Sequence, residues 1–132
     1  MAQRLYIADD NVDFANYIAT VAQREGWQVE ICANGRVLLD KLAASEGPAF
    51  LLIDVNMPEM DGIEAIEGLA ALARPLRLRF ITGGSDTSIR AAKVIAEANH
   101  LAVGSNIYKP LPLEALKDVL RSEAKELEAL AE

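Results

Sequence analysis

The chain has 132 residues, of which 52% are apolar, and this composition suits one globular domain with a hydrophobic core. Its 20 acidic and 13 basic residues give a formal charge of −7, which disfavours binding to nucleic acid or to anionic membranes. Cys32 is the only cysteine, so an internal disulfide and cysteine-rich zinc sites are excluded, and the composition suits a reducing cytoplasm.

The apolar runs of the sequence are short. The first, residues 5–8, meets Asp9 after four residues, which is too few for a signal peptide. No later run approaches the roughly 20 residues that a membrane span requires. We therefore expect a soluble cytoplasmic protein of one domain, residues 1–132, in which the Glu- and Ala-rich residues 122–132 extend the final helix.

Short strand-like runs alternate five times with longer stretches that have helical spacing. This alternation predicts βα units around a mostly parallel sheet. The strands are predicted at residues 5–8, 27–32, 50–53, 78–81 and 103–108. Stripes of helical spacing lie between and after them, formed by Phe14, Ile18 and Val21, by Ile63, Ile66 and Ala70, and by Leu116, Leu120, Ala124 and Leu127.

The pattern within two strands also predicts their places in the sheet. Residues 27–32 alternate apolar and polar side chains, which favours an edge strand with one wetter face. Residues 50–53 are continuously apolar, which favours a central strand that is covered on both sides. A closed barrel typically needs about 250 residues. We therefore predict an α/β fold with a single doubly wound, five-stranded parallel sheet and helices on both faces.

Polar residues stand where four of the predicted strands end. Asp9 and Asp10 follow the first strand, Asp54 the third, Thr82 the fourth and Lys109 the fifth. Open parallel sheets bind ligands outside the carboxyl ends of their strands, so these side chains are expected to converge at one edge. Neighbouring carboxylates repel unless a cation lies among them, and oxygen donors without His or Cys favour Mg²⁺. A carboxylate in such a site can attack phosphorus and form an aspartyl phosphate.

Four segments that contain these residues resemble the receiver domain of two-component response regulators, and the resemblance extends over nearly the whole chain. The segments are IADDN at 7–11, LIDVNMPEMDG at 52–62, FITG at 80–83 and YKPL at 108–111. The resemblance implies a flavodoxin-like sheet with the strand order 2-1-3-4-5.

The resemblance also implies a metal site and a phosphoacceptor. Asp54 would accept the phosphoryl group and also bind Mg²⁺. Asp10 would be a direct Mg²⁺ ligand, Asp9 a ligand through water, and the backbone carbonyl of Asn56 a further ligand. The domain would thus catalyse only its own phosphorylation and a slow autodephosphorylation, and would not be an ordinary enzyme.

Two further residues complete the site that the resemblance implies. Thr82 and Lys109 would contact the phosphoryl oxygens, and the peptide bond between Lys109 and Pro110 is expected to be cis. The phosphoryl donor would be a histidine kinase or a phosphotransfer protein. Since the sequence shows no output domain, the readout is expected in trans through a downstream protein partner, and a homodimer is a possible assembly.

Three of the site residues also have a purely structural explanation. Asp9 and Asp10, followed by Asn11, could merely cap the first helix, because Asp and Asn are favoured at that position. Lys109 could be an ordinary solvated lysine. Neither explanation accounts for the fact that carboxylates, a hydroxyl and an ammonium all lie at strand ends on the same edge of the predicted sheet.

Residues near the site are expected to have structural roles only. Met57 and Met60 are predicted to pack in the loop after the third strand. Asp61 and Gly62 are predicted to form a turn and the start of a helix. Tyr108 could belong to the core, with its ring covering the edge of the sheet.

The chain departs from the receiver pattern at Asn106. Receivers commonly have an aromatic residue three positions before the lysine, so the usual rotamer switch of that ring is not expected to operate here. This departure favours an alternative hypothesis, a receiver-like interaction module that works without phosphorylation. A third hypothesis is a phosphohydrolase of the haloacid-dehalogenase type. It is disfavoured because such enzymes have a second Asp two residues after the nucleophile, where this chain has Asn56.

Overall fold

The computed structural model describes residues 3–57, 62–84 and 86–131. Helices and strands alternate along the chain, as predicted. The strands are β1 (Arg4–Ala8), β2 (Gln28–Cys32), β3 (Ala49–Asp54), β4 (Leu76–Thr82), β5 (Ala102–Val103) and β6 (Ile107–Tyr108). The helices are α1 (Val12–Arg24), α2 (Gly35–Ala43), α3 (Gly62–Ala71), α4 (Asp86–Ala98) and α5 (Leu113–Ala131).

All the strand pairs are parallel, and the order across the sheet is β2-β1-β3-β4-β5, with β6 also paired to β4. This confirms the predicted α/β fold and the strand order 2-1-3-4-5. β2 lies at an edge, as its alternating pattern indicated. Every residue of β3 is buried, as its continuous apolar run indicated.

The sheet divides the hydrophobic core into two clusters, because successive strand residues point to opposite faces. On one face, side chains of β1 and β3 such as Tyr6 and Leu51 pack with α2, α3 and α4. On the other face, Leu5 and Phe50 pack with α1 and α5. The sheet is thus covered on both sides, and its carboxyl edge is left as the place where loops meet.

The fifth strand differs from the prediction, since residues 103–108 do not form one continuous strand. β5 pairs with Arg77 and Leu78 near the start of β4, and β6 pairs with Ile81 and Thr82 at its end. Between them, the Gly104 N–H still donates to the Leu78 carbonyl at 2.8 Å. A Cβ on Gly104 would lie 2.8 Å from Arg79 Nε and 2.9 Å from Glu123 Oε2, so only glycine fits at this point.

The group that approaches Gly104 is a buried ion triad, formed by Arg77, Arg79 and Glu123. The Glu123 side chain is completely buried, and its Oε1 and Oε2 accept hydrogen bonds from Arg77 Nε at 2.8 Å and from Arg79 Nε at 2.7 Å. Arg77 Nη2 donates a further bond at 3.1 Å. The triad ties α5 to β4, and no apolar pattern in the sequence indicated it.

The ionisation of Glu123 follows from these contacts. Burial alone would raise the pKa of its carboxyl, but the two guanidinium groups outweigh burial and hold the pKa below its ordinary value of 4.5. Because the folded pKa is the lower one, the triad stabilises the fold above pH 4.5, and this contribution is lost as the pH falls through the folded pKa.

None of the helices in the described ranges is long and apolar enough to cross a membrane.

The substitution Glu123→Gln should lower the free energy of unfolding by about 3 kcal/mol at neutral pH, because it leaves the partly buried guanidinium groups of Arg77 and Arg79 without their buried carboxylate. Urea unfolding at several pH values measures this effect. The difference from wild type should shrink as the pH falls from 4.5 towards the lower pKa of folded Glu123, because the unfolded state takes up the proton first. Glu128→Gln, on an exposed position of the same helix, is the control and should change stability by less than about 0.5 kcal/mol. An equal loss in both variants would contradict the role of the triad.

Candidate functional site

The predicted site residues meet at the carboxyl edge of the sheet. Asp9 directly follows β1, Asp54 and Thr82 end β3 and β4, and Lys109 directly follows β6. Backbone hydrogen bonds continue the sheet to this edge, since the Asp9 N–H donates to the Cys32 carbonyl at 3.0 Å and the Lys109 N–H to the Thr82 carbonyl at 2.8 Å. The positions of the side chains are therefore set by the sheet.

Three carboxylates form the acidic part of the site. Asp9, Asp10 and Asp54 each offer one oxygen, and these oxygens all lie within 4.8 Å of one another. Asp9 and Asp54 are buried, whereas Asp10 is exposed. The structure thus brings together the three acidic residues that the sequence placed at two separate strand ends.

Each of the two buried carboxylates is held by a local turn, and the two turns are of the same kind. Asp9 Oδ1 accepts a hydrogen bond from the Asn11 N–H at 2.8 Å, and Asp54 Oδ1 accepts one from the Asn56 N–H at 2.8 Å. Asp side chains commonly bond the backbone two residues ahead in this way. One oxygen of each carboxylate is fixed by the backbone, and the other oxygen, Oδ2, is left for a cation.

Lys109 supplies one cation to both Oδ2 atoms. Its Nζ lies 2.9 Å from Asp9 Oδ2 and 3.0 Å from Asp54 Oδ2, and only 18% of its side chain is exposed. Its ammonium also lies 4.5 Å from the ring centroid of Phe14. The interpretation of Lys109 as an ordinary solvated lysine is therefore wrong.

The shifts in pKa show how closely these charges interact. Burial raises the pKa of Asp54 above its ordinary value of 3.8. The Asn56 N–H and the Lys109 ammonium oppose this rise without cancelling it. For Lys109, burial alone would lower the pKa, but the Asp9 and Asp54 carboxylates outweigh burial and raise it above 10.5. Lys109 is therefore an ammonium at neutral pH.

Thr82 places a buried hydroxyl beside these charges. Its Oγ1 accepts hydrogen bonds from the Gly84 N–H at 3.0 Å and from Asn56 Nδ2 at 3.3 Å. Both bonds use the oxygen as an acceptor, so the hydroxyl proton is still available for donation. The resemblance implied a role only for the backbone carbonyl of Asn56, and this contact of its side-chain amide was not predicted.

The acidic cluster fits a hard divalent cation. Its side-chain donors are carboxylate oxygens, which such ions prefer. Asp9 Oδ2 is buried and accepts no hydrogen bond of ordinary geometry from the described residues, although the Lys109 ammonium lies close to it. A buried carboxylate oxygen with spare lone pairs is a suitable ligand for a metal or for a water bound to one.

The helix-cap explanation is correct for Asn11 and wrong for Asp9 and Asp10. Asn11 is the N-cap of α1, and its side chain accepts a hydrogen bond from the Phe14 N–H at 3.1 Å. Asp9 and Asp10 precede the cap, so the carboxylates remain available to the site.

The residues that were expected to have structural roles are placed as follows. Met57 is buried, which confirms its predicted packing, and α3 begins at Gly62, as predicted. Tyr108 is 47% exposed, so its assignment to the core is wrong. Met60 and Asp61 lie outside the described residues. The peptide bond between Lys109 and Pro110 is cis, as the resemblance implied.

One aromatic residue of α1 contacts the site and a second contacts the backbone two residues after Lys109, and sequence reasoning missed both contacts. Phe14 was assigned to the apolar stripe of α1, yet its ring lies beside the Lys109 ammonium. Tyr17, one turn later, donates its hydroxyl proton to the Leu111 carbonyl at 3.0 Å. The available signal was the position of Phe14 in the first helical turn after the acidic pair.

Comparison with known proteins assigns the chain to one family. The family model of the response regulator receiver domain matches residues 5–121. The chain is 26% identical over 121 residues to sporulation initiation phosphotransferase F of Bacillus subtilis, with 92% of this chain and 93% of that protein covered. It is 31% identical over 111 residues to the transcriptional regulatory protein TctD of Salmonella typhimurium, with 84% of this chain but only 46% of TctD covered.

The fold comparison agrees with the sequence comparison. A response regulator receiver domain protein (CheY-like) from Methanospirillum hungatei JF-1 has a TM-score of 0.83 and 22% identity, and 98% of each chain is covered. The family model covers most of the chain, and the parallel sheet has the strand order of that fold. The chain therefore belongs to the receiver domains of two-component response regulators, which are phosphoacceptor signalling domains that pair with histidine kinases or phosphotransfer proteins.

Proposed function

We propose that this domain is a Mg²⁺-dependent switch in which Asp54 accepts a phosphoryl group. The observation that carries the proposal is the environment of the Asp54 carboxylate, which lies within reach of two further carboxylates and 3.0 Å from the Lys109 ammonium. A structural ion pair needs one carboxylate for one ammonium. Three carboxylates around one ammonium leave an excess of negative charge, which a bound divalent cation would balance.

Asp54 would act as the nucleophile. One of its carboxylate oxygens attacks the phosphorus of a phosphohistidine or of a small phosphodonor, and a new O–P bond forms. The bond from phosphorus to the leaving group breaks at the same time, and the leaving group departs with the electron pair and takes a proton from solvent. When bound, Mg²⁺ would neutralise charge on the carboxylates and on the phosphoryl oxygens.

Asp10 is the exposed member of the acidic cluster and would be the direct metal ligand. Asp9 is buried, with its Oδ2 beside Lys109, and would bind the ion through a water molecule. The backbone carbonyl of Asn56 would complete the protein ligands. The oxygen-only chemistry of this set supports Mg²⁺ as the ion.

Lys109 and Thr82 would stabilise the phosphoryl group. The Lys109 ammonium already lies 3.0 Å from an Asp54 oxygen, so a short displacement would let it contact a phosphoryl oxygen. Thr82 still has a hydroxyl proton to donate, because its two present bonds use its oxygen as an acceptor. Charge-assisted hydrogen bonds of this kind are among the strongest in proteins.

The domain would work as a single unit, residues 1–132, in the cytoplasm. A histidine kinase or a phosphotransfer protein would donate the phosphoryl group, and a downstream protein, or a second copy of the chain in a homodimer, would read the phosphorylated state in trans. Coverage of nearly all of sporulation initiation phosphotransferase F supports this one-domain arrangement.

A phosphorylation-independent interaction module is the second candidate. The observation that favours it is the fifth strand, which is interrupted between β5 and β6 and has Asn106 where receivers commonly have a ring. Partner affinity that is unchanged by phosphorylation would support this module against the switch.

Wild-type protein should gain one phosphate when it is incubated with Mg²⁺ and acetyl phosphate, and Asp54→Asn should gain none, because an amide is a poor nucleophile. Intact-protein mass spectrometry measures the product. Asp40→Asn, on an exposed position of α2, is the control and should be phosphorylated like wild type. Equal labelling of the Asp54 variant would refute the proposed phosphoacceptor.

Removal of one carboxylate from the acidic cluster should weaken Mg²⁺ binding. We expect Asp10→Asn to reduce the Mg²⁺ affinity at least about ten-fold. Loss of a residue that only hydrogen-bonds to a metal ligand typically lowers metal affinity by about 10- to 100-fold, and loss of a ligand itself should have at least that effect. Titration calorimetry measures the dissociation constant. Asp13→Asn, in the exposed first turn of α1, keeps the same change in charge and should bind Mg²⁺ nearly as wild type does. If the two variants bind equally well, the ion is held elsewhere.

A further inference from the structure

The Lys109 ammonium contacts three groups, and they differ in what phosphorylation would do to them. Asp9 Oδ2 and Asp54 Oδ2 are carboxylate oxygens, and both belong to the proposed metal and phosphoacceptor site. The third group is the ring of Phe14, whose centroid lies 4.5 Å from Nζ. The ring is the one partner among these three whose charge and bonding the proposed reaction leaves unchanged.

The contact has the geometry of a cation–π interaction. Favourable contacts place the cation within about 6 Å of the ring centroid, and 4.5 Å is well inside that limit. The Lys109 side chain is only 18% exposed, so water screens the attraction weakly. The ring meets the charged end of the lysine, whereas ordinary packing of a lysine places an apolar side chain against the methylene stem.

Phe14 is itself held in place by α1. It lies in the first turn of the helix and is partly buried against the core cluster that includes Ile18 and Leu116. Its ring contacts the ring of Tyr17, with the centroids 6.4 Å apart. Tyr17 in turn donates to the Leu111 carbonyl at 3.0 Å, two residues after the lysine. The same helix therefore holds both the lysine ammonium and the backbone that follows it.

We propose that Phe14 is a positioning residue, whose ring face holds the Lys109 ammonium at the site while its carboxylate partner is exchanged for a phosphoryl oxygen. The inference rests on the proposed function of Asp54. Once Asp54 becomes an aspartyl phosphate, its carboxylate charge is gone and a bound cation competes for Asp9. The ring attraction remains, so the ammonium stays within reach of the phosphoryl group.

The test varies the electron density of the ring and leaves its size nearly constant. 4-Fluoro- and 3,4,5-trifluorophenylalanine are placed at position 14, and phosphorylation by acetyl phosphate is followed at saturating Mg²⁺ over a range of donor concentrations. Fluorine withdraws electron density from the ring face, so the maximal rate should fall in steps, to about three- to ten-fold below wild type. The same two substitutions at Phe50, a completely buried core residue, are the control and should give no graded change.

A structural measurement separates this role from simple packing. The ring should displace the NMR signals of the Lys109 ε-methylene protons upfield, with Mg²⁺ and with the phosphoryl analogue beryllofluoride as well as without them. Phe14→Leu keeps the apolar packing but should lose the upfield displacement and be phosphorylated more slowly than wild type. Phe14→Tyr keeps a ring and should retain both the displacement and the wild-type rate.

The outcomes distinguish the two proposals. If wild type is phosphorylated and the fluorinated proteins react at the wild-type rate, or if Phe14→Leu does, the positioning role is refuted and the function of Asp54 stands. If the upfield displacement disappears when beryllofluoride binds, the ring does not follow the ammonium and the inference is likewise wrong. If wild type takes up no phosphate on Asp54, the proposed function fails, and the positioning role fails with it.

Discussion

The arrangement of the site depends on one ammonium shared by two buried carboxylates. Asp9 and Asp54 stand at the ends of the adjacent strands β1 and β3, where the fold removes both from water. Like charges at this distance repel strongly in a poorly hydrated site, and the Lys109 contacts at 2.9 and 3.0 Å offset that repulsion. With Asp10 included, two negative charges remain in excess, so the lysine alone does not neutralise the cluster. The fold thus buries carboxylates at a site whose excess negative charge favours the binding of a divalent cation.

The two oxygens of each buried carboxylate have different partners. In both Asp9 and Asp54, Oδ1 accepts the N–H two residues ahead, which fixes the rotation of the carboxylate, and Oδ2 points to Lys109. Because the same turn occurs at two strand ends of one parallel sheet, the two carboxylates face a common centre. The sheet and the backbone N–H groups place Oδ1 of each carboxylate, and the shared Lys109 ammonium places Oδ2. This arrangement allows a small site to be assembled from residues that are distant in sequence, such as Asp9 and Asp54, which lie 45 positions apart.

The sequence predicted those features that depend on local pattern and on strand direction. Periodicity predicted the strands. Because the carboxyl ends of parallel strands share one edge, strand order alone predicted that the acidic residues, Thr82 and Lys109 lie together. Prediction from the sequence pattern failed where a single tertiary contact changes the local structure. The strand predicted at 103–108 is interrupted after Val103, where Gly104 lies against the Arg79 and Glu123 side chains. Glu123 itself is buried, although it comes from the Glu- and Ala-rich segment that was expected to extend the final helix. A buried ion triad has no periodicity, so the sequence pattern could not indicate it.

The sequence pattern also could not indicate which aromatic residue contacts the site. Receivers commonly place a ring on the fifth strand, whereas this chain has Asn106 there, with a buried Oδ1 that accepts no hydrogen bond from the described residues. The ring beside the lysine is contributed by α1 instead. Because Tyr17 also binds the Leu111 carbonyl, the segment that follows Lys109 cannot move away from α1 without breaking that bond. The segment around Lys109 is therefore linked to α1, which packs on the opposite face of the sheet from α4.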